Sequence, residues 1–124
     1  MTTTAGSSDL TSVLPGLTVI IPNYNYQEFI AQAIDSALAV EWPRVQIIVV
    51  DDGSTDRSRE VIEAYRGRVE IVHQANAGQL QAYNVGFTLA NEEVVIFLDS
   101  DDLLDPQVMQ EVAATWRSGV SKVQ

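Results

Sequence analysis

The run Val94-Val95-Ile96-Phe97-Leu98 ends in Asp99-Ser100-Asp101-Asp102, so three carboxylates follow five apolar residues. A buried strand that ends this way delivers acid to a sheet edge, where carboxylates can hold a divalent cation and, through it, a phosphate. The same construction occurs earlier, where Val45-Gln46-Ile47-Ile48-Val49-Val50 runs into Asp51-Asp52-Gly53-Ser54. Two strands therefore bring acid to one edge. Repulsion among Asp99, Asp101 and Asp102 calls for a cation or for hydrogen-bond donors. Magnesium suits the arrangement, because it is commonly held by one or two carboxylates together with substrate phosphates and waters. Manganese prefers the same oxygen ligands. In the plainer alternative, Asp99 and Asp101 solvate a loop while Asp102 or Asp105 caps the next helix. For Asp51 and Asp52 the alternatives are a tight turn and a carboxylate that accepts hydrogen bonds from a ligand ring nitrogen or ribose hydroxyl.

The elements that must position these acids can be read from the apolar pattern. From Leu17 onward short apolar runs alternate with amphipathic segments, the pattern of βα units feeding a parallel sheet. Strands are expected over Leu17 to Ile21, Val45 to Val50, Val69 to His73 and Val94 to Leu98. A first helix carries Phe29, Ile30, Ala33, Ile34, Ala37 and Leu38 at spacings of three and four, one apolar stripe for the sheet. A second follows Gly53-Ser54-Thr55-Asp56 and puts Val61, Ile62 and Tyr65 on one side. A third runs roughly from Leu80 to Leu89. A fourth opens at Asp105-Pro106, a cap and a first-turn proline, and is expected to bury Val108, Met109, Val112 and Trp116. The order is βαβαβαβα, an α/β fold with a mainly parallel sheet and helices on both faces. Right-handed crossovers produce that arrangement, and ligands then settle outside the carboxyl ends of the strands.

Met1 to Gly16 is Thr-, Ser- and Gly-rich and reads as a flexible lead, leaving 17–124 as the folded part. Gly119 looks like a helix terminator with a further strand opening after it, so the folded part reads as the first half of something longer.

Composition limits the partners. With 124 residues and 46% apolar content the chain fits one domain, and its formal charge of -10 disfavours nucleic acid and anionic lipid. Cysteine is absent and His73 is the single histidine, so a bound metal would be oxygen-ligated. No apolar run approaches the roughly 20 residues of a spanning helix, and no basic-then-apolar leader precedes the first strand. A cytoplasmic location without direct membrane insertion is expected, with the inner face of the membrane as the alternative for the full-length protein. Neither G-x-G-x-x-G nor G-x-x-x-x-G-K-[ST] is present, so phosphate charge must be met by something other than a glycine-rich loop, and a metal does that.

Two further segments sit at strand ends. Pro22-Asn23-Tyr24-Asn25-Tyr26 leaves the first strand, where proline is expected to end ladder pairing and the asparagines tolerate unusual backbone angles. Tyr24 there either stacks on a nucleobase or lies over the first helix. Gln74-Ala75-Asn76-Ala77-Gly78-Gln79 follows the third strand, with Asn84 and Gly86 on the helix beyond. Its amides suit a sugar or ribose and equally suit an ordinary loop. His73 is left unassigned.

Taken in order, Thr18-Val19-Ile20-Ile21-Pro22-Asn23-Tyr24-Asn25, Ile48-Val49-Val50-Asp51-Asp52-Gly53-Ser54-Thr55-Asp56, Asn76-Ala77-Gly78-Gln79 and Phe97-Leu98-Asp99-Ser100-Asp101-Asp102 resemble the nucleotide-sugar half of family-two glycosyltransferases. The resemblance spans Leu17 to about Trp116. It implies a GT-A fold, a nucleoside diphosphate sugar donor of UDP, dTDP or GDP type, a Mg2+ or Mn2+ ion, a sugar or glycoconjugate acceptor, and inversion at the anomeric carbon. Carried over by position, Pro22, Tyr24 and Asn25 border the donor, Tyr24 lies against the base, Asp52 bonds the base edge and Asp51 is a further contact. Asn76, Gly78 and Gln79 form the donor-side loop. Asp99 and Asp101 match the family's D-x-D, which implies a ribose or sugar contact at Asp99 and the metal at Asp101, with Asp99 as a second ligand. Tyr83 departs from the many relatives that carry arginine or leucine there, so no charge contact is assigned to it. The base and acceptor pocket of such enzymes lie after the D-x-D, so no catalytic base is expected before Gln124. Two competing readings use the same acids. One is a noncatalytic nucleotide-sugar sensor or binding subunit. The other is a receiver-like signalling domain, which needs a lysine at a later strand end, and the one lysine is Lys122 in the tail. Unpaired apolar surface leaves room for a dimer.

Overall fold

The computed structural model describes residues 14–117. Eight elements alternate along them: β1 (Leu17–Asn23), α1 (Ile30–Leu38), β2 (Val45–Asp52), α2 (Ser58–Glu63), β3 (Glu70–Gln74), α3 (Gln79–Leu89), β4 (Val94–Phe97) and α4 (Pro106–Arg117). The expected βαβαβαβα order is observed. All strand pairings are parallel, in the order β3-β2-β1-β4. The chain thus steps outward from β1 to β3 and then returns to the other side of β1. That reversal puts a crevice outside the ends of β1 and β4.

The strands are nearly continuous apolar runs because helices cover both of their faces. Leu17, Val19 and Ile21 pack with Ile30, Ala33, Ile34 and Ala37 of α1, Ile62 of α2 and Met109 of α4. On the opposite face Ile48 and Val50 meet Ala82 of α3. Each fully buried isoleucine contributes about 1.5 to 3 kcal/mol relative to exposure. Gly86 lets α3 come close to the sheet: a Cβ there would lie 2.4 Å from Ile20 Cγ2, so valine at this position would push the helix, and the loop before it, off the strand ends.

Several boundaries differ from expectation. β1 does not end at Pro22 but runs to Asn23, paired with Asp51. Proline is accommodated because Pro22 shares the orientation of Ile20, whose carbonyl accepts from Leu98 N. The missing N–H therefore faces the side where β4 has already ended at Phe97. β2 likewise runs through both acids, with Asp51 opposite His73 and Asp52 opposite Gln74, so the turn alternative for this pair is overturned. Phe29 leaves the α1 stripe, staying 44% exposed with its ring edge-on to Tyr26. Tyr65 is buried but lies just past α2, its hydroxyl donating to Asp35 Oδ1 at 2.8 Å. Burial and the neighbouring Asp35 carboxylate push its phenol up to about 12. In α4 only Met109 of the four expected apolar residues is buried, with Ala113 one turn later. The helix rests on that narrow i, i+4 line, and Val108 is 49% exposed. Asp105 caps α4 as expected, accepting from Gln107 N at 2.8 Å.

Leu14 to Gly16, expected in the flexible lead, belong to the fold. Leu14 is buried, the Pro15 carbonyl accepts from Trp42 Nε1 at 2.7 Å, and the Gly16 carbonyl accepts from Val94 N. The rest of the lead, Met1 to Val13, and the Gly119 terminator with the strand after it lie outside the described residues. Among the described residues no helix is long and apolar enough to cross a membrane.

Candidate donor and metal site

A cavity of about 620 Å³ opens at the carboxyl ends of the strands. Four segments build it. The end of β1 gives Pro22 through Tyr26, β2 gives Asp52, the turn into α3 gives Asn76, Gly78, Gln79 and Ala82, and the end of β4 gives Asp99, Ser100 and Asp101. The structure therefore brings together every expected site residue except Asp51.

Asp51 is fully buried and accepts from Asn23 Nδ2 at 3.1 Å, Ser54 Oγ at 2.6 Å and Ser54 N at 3.2 Å. It sits on the sheet face away from the cavity, as the strand's two-residue period requires of a residue next to Asp52. On that same face His73 Nδ1 is 3.8 Å from Asp51 Oδ2, and its Nε2 lies 2.6 Å from Glu63 Oε2. The lone histidine thus belongs to a buttress behind the site. A hydrogen bond from Arg66, then one with His73, holds the Glu63 carboxyl down at about 2.

Asp52 is only 3% exposed. Its Oδ1 accepts from Gln74 Nε2 at 2.9 Å and Ala77 N at 2.8 Å, and its Oδ2 accepts from Gly78 N at 3.0 Å and Asn76 Nδ2 at 3.3 Å. A carboxylate has about four acceptor positions, and protein donors fill all of them. Asp52 in this arrangement shapes the loop from Ala75 to Gly78 while lining the cavity. Gly53 allows that loop to close. It has φ +73°, and a Cβ on it would lie 2.5 Å from Asn76 N.

Asn25 is the one non-glycine residue at positive φ among the described residues, at 59°. Its Oδ1 accepts from Thr55 N at 2.7 Å and Asp56 N at 3.2 Å, while its own N–H donates to Ser54 Oγ at 2.9 Å. The side chain stitches the β1 end to the segment before α2. Tyr24, one residue earlier, is left 45% exposed at the cavity wall.

At the end of β4 the acids differ from one another. Asp99 Oδ1 accepts from Tyr83 OH at 2.8 Å and Gln79 Nε2 at 3.1 Å. Asp101 is exposed and has no hydrogen bond or ion pair among the described residues. Asp102 turns away, its Oδ1 accepting from Leu103 N at 2.9 Å. The loop is pinned below by Leu104 N, which donates to Ser36 Oγ at 3.0 Å. Tyr83, whose phenol is raised by burial and by the Asp99 carboxylate, is set apart in the sequence only as a departure from its relatives, and its bond to Asp99 is not foreseen there. Its i, i+4 spacing from Gln79 was the available signal.

Among the described residues, three carboxylates and no lysine or arginine line the cavity. Among the described residues no three acidic or histidine side chains gather into a metal cage. The free Asp101 carboxylate instead fits a cation that takes few protein ligands and completes its shell with phosphate oxygens and water, while Oδ2 of Asp99 remains open beside it.

A parallel sheet with acid at its switch point and an aromatic wall defines a doubly wound α/β domain. The chain belongs to glycosyl transferase family 2, whose profile matches residues 18–123. It is 42% identical to the uncharacterized glycosyltransferase alr2836 of Nostoc sp. over 82% of this chain and 33% of that protein. It is 36% identical to the uncharacterized glycosyltransferase EpsJ of Bacillus subtilis, over 81% of this chain and 30% of that one. The chain thus spans about a third of the length of these relatives. Among solved structures, Staphylococcus aureus TarS 1–349 matches with a TM-score of 0.71 at 30% identity, over 80% of this chain and 31% of that chain. That protein has been solved with UDP-GlcNAc and with UDP. The mannosyltransferase PcManGT from Pyrobaculum calidifontis, solved with GDP-Man and Mn2+, shares the fold with a TM-score of 0.71 at 24% identity, over 88% of this chain and 34% of that chain. The mainly parallel α/β architecture is that of GT-A glycosyltransferases.

Proposed function

We propose that these residues are the donor-binding part of a glycosyltransferase that moves a sugar from a nucleoside diphosphate to an acceptor hydroxyl with inversion, assisted by Mg2+ or Mn2+. The observation that carries the reading is the pairing, among the described residues, of a partnerless Asp101 carboxylate with a cavity lined by no cationic side chain. An anionic diphosphate enters such a cavity only with a counter-charge, and Asp101, with Asp99 beside it, is the group to hold one. A divalent ion there supplies Lewis acidity toward the departing diphosphate.

This chain's own residues bind and orient. Tyr24 offers its ring to the base, a contact worth about 1 to 3 kcal/mol in nucleic-acid systems. Asn76, Gly78 and Gln79, held in place through Asp52, border the ribose and diphosphate, and the free Asp99 Oδ2 accepts from a hydroxyl. Pro22 and Asn25 fix the wall that carries Tyr24. The group that deprotonates the acceptor is assigned to a part of the protein after the D-x-D. The TarS complexes with UDP and UDP-GlcNAc favour a uridine donor.

A thermal-shift screen of UDP, GDP and dTDP with and without Mn2+ tests the proposal. A ligand at 100 times its Kd stabilises the native state by about 2.7 kcal/mol. One of the three is expected to raise the melting temperature only when Mn2+ is present. No shift with any of them, or equal shifts in EDTA, contradicts the proposal.

A further inference from the structure

We infer that Tyr83 is a positioning residue for Asp99 and, through it, sets how the site selects a ribose hydroxyl; the inference rests on the donor-site reading above. The Tyr83 hydroxyl donates to Asp99 Oδ1 at 2.8 Å, and Gln79 Nε2 donates to the same oxygen at 3.1 Å and to the Tyr83 hydroxyl oxygen at 3.1 Å. The Tyr83 ring stands edge-on to Phe97, with centroids 4.7 Å apart and planes at 77°. Phe97 lies on β4 two residues before Asp99, so ring and carboxylate are referred to the same strand. Two donors from one face of α3 therefore grip one oxygen, and Oδ2 has no partner among the described residues.

A carboxylate free to rotate can chelate a cation with both oxygens. Held by Oδ1, Asp99 presents a single oxygen in a fixed place, which suits acceptance of one hydroxyl proton. Asp101, without any such restraint, is left to the cation. The division of roles between two chemically identical acids thus comes from a phenol and an amide on the neighbouring helix.

Tyr83→Phe removes the hydroxyl and keeps the ring against Phe97. Calorimetry with Mn2+ compares UDP and GDP, and then the tighter of the two with its 2′,3′-dideoxy analogue. The wild-type protein is expected to prefer the ribonucleotide by about tenfold, the scale of one charge-assisted hydrogen bond. Tyr83→Phe is expected to bring that preference within about threefold, with the melting temperature nearly unchanged. Gln79→Leu, at an exposed position, is expected to reduce the preference in the same direction and serves if the first variant folds poorly. A merely structural role for Tyr83 lowers the melting temperature without touching the preference. Wild-type protein that binds neither UDP nor GDP overturns the donor-site reading itself. Wild-type protein that binds without preference, or variants that keep the wild-type preference, overturn only the role given to Tyr83.

Discussion

The two acid-tipped strands share a sequence pattern and differ in what their carboxylates meet. At the end of β2, Asp51 accepts three hydrogen bonds and Asp52 four, all from protein donors. At the end of β4, Asp101 accepts none and Asp99 commits one oxygen. The donors come from different elements. β2 is flanked by β1 and β3: Asn23 at the end of β1 and Ser54 on the exit of β2 itself donate to Asp51, and Gln74 at the end of β3 with the loop after it donates to Asp52. At the end of β4 the donors among the described residues come from α3 alone, Tyr83 and Gln79. Among the described residues, the acids at the end of β2 are held by protein donors, while Asp101 at the end of β4 meets none.

The comparison is most easily broken through stability. Asp52→Ala removes four charge-assisted bonds and frees the loop from Ala75 to Gly78, with an expected cost of about 3 to 5 kcal/mol in urea denaturation. Asp101→Ala is expected to stay within about 0.5 kcal/mol of wild type in the same assay. Equal losses at the two ends would remove the distinction. Gly53→Ala attacks the same loop by forcing a Cβ onto Asn76 at positive φ; about 2 to 3 kcal/mol of destabilisation is expected. Tyr24→Ala sharpens the ligand side. It should weaken nucleoside diphosphate binding by about 1 to 2 kcal/mol in calorimetry while leaving the urea midpoint in place.

The smallest expected effect is pH-dependent and lies behind the central strand. Glu63 has its folded-state value depressed from the ordinary 4.5 to about 2 by Arg66 and His73. A depressed carboxyl contributes its stability above the unfolded value and loses it as pH falls through the folded one. Glu63→Gln should therefore lower the melting temperature modestly at neutral pH, the side chain being partly exposed. The gap to wild type should close between pH 4.5 and about 2. A gap that persists at the acid end would assign the effect to packing instead.

Much of the fold was legible because its signals are local and periodic. The α1 stripe, the cap at Asp105 and the apolar runs of all four strands depend on spacing alone. What escaped depends on partners distant in sequence. Pro22 reads as a strand terminator unless it is known which side of β1 the missing N–H faces. Asn25 reads as a ligand contact, yet its partners Ser54, Thr55 and Asp56 lie about 30 residues away. Asp51 and Asp52 look equivalent until the strand period sends one to each face of the sheet. Tyr83 meets Asp99 only because α3 lies over β1 and β4 follows on its other side, an adjacency that no short motif encodes.

The most direct test of the claim that the β4 end is the ligand-facing one is calorimetric titration of the nucleoside diphosphate selected in the thermal screen. It is run on wild-type protein and Asp101→Ala, each with Mn2+ and with EDTA. Tight binding by wild-type protein with Mn2+ is expected, weakened about 100-fold or more by either chelation or the substitution, a difference of about 2.7 kcal/mol. Chelation should then add little to the variant's loss. Binding that survives both chelator and substitution unchanged would contradict the account.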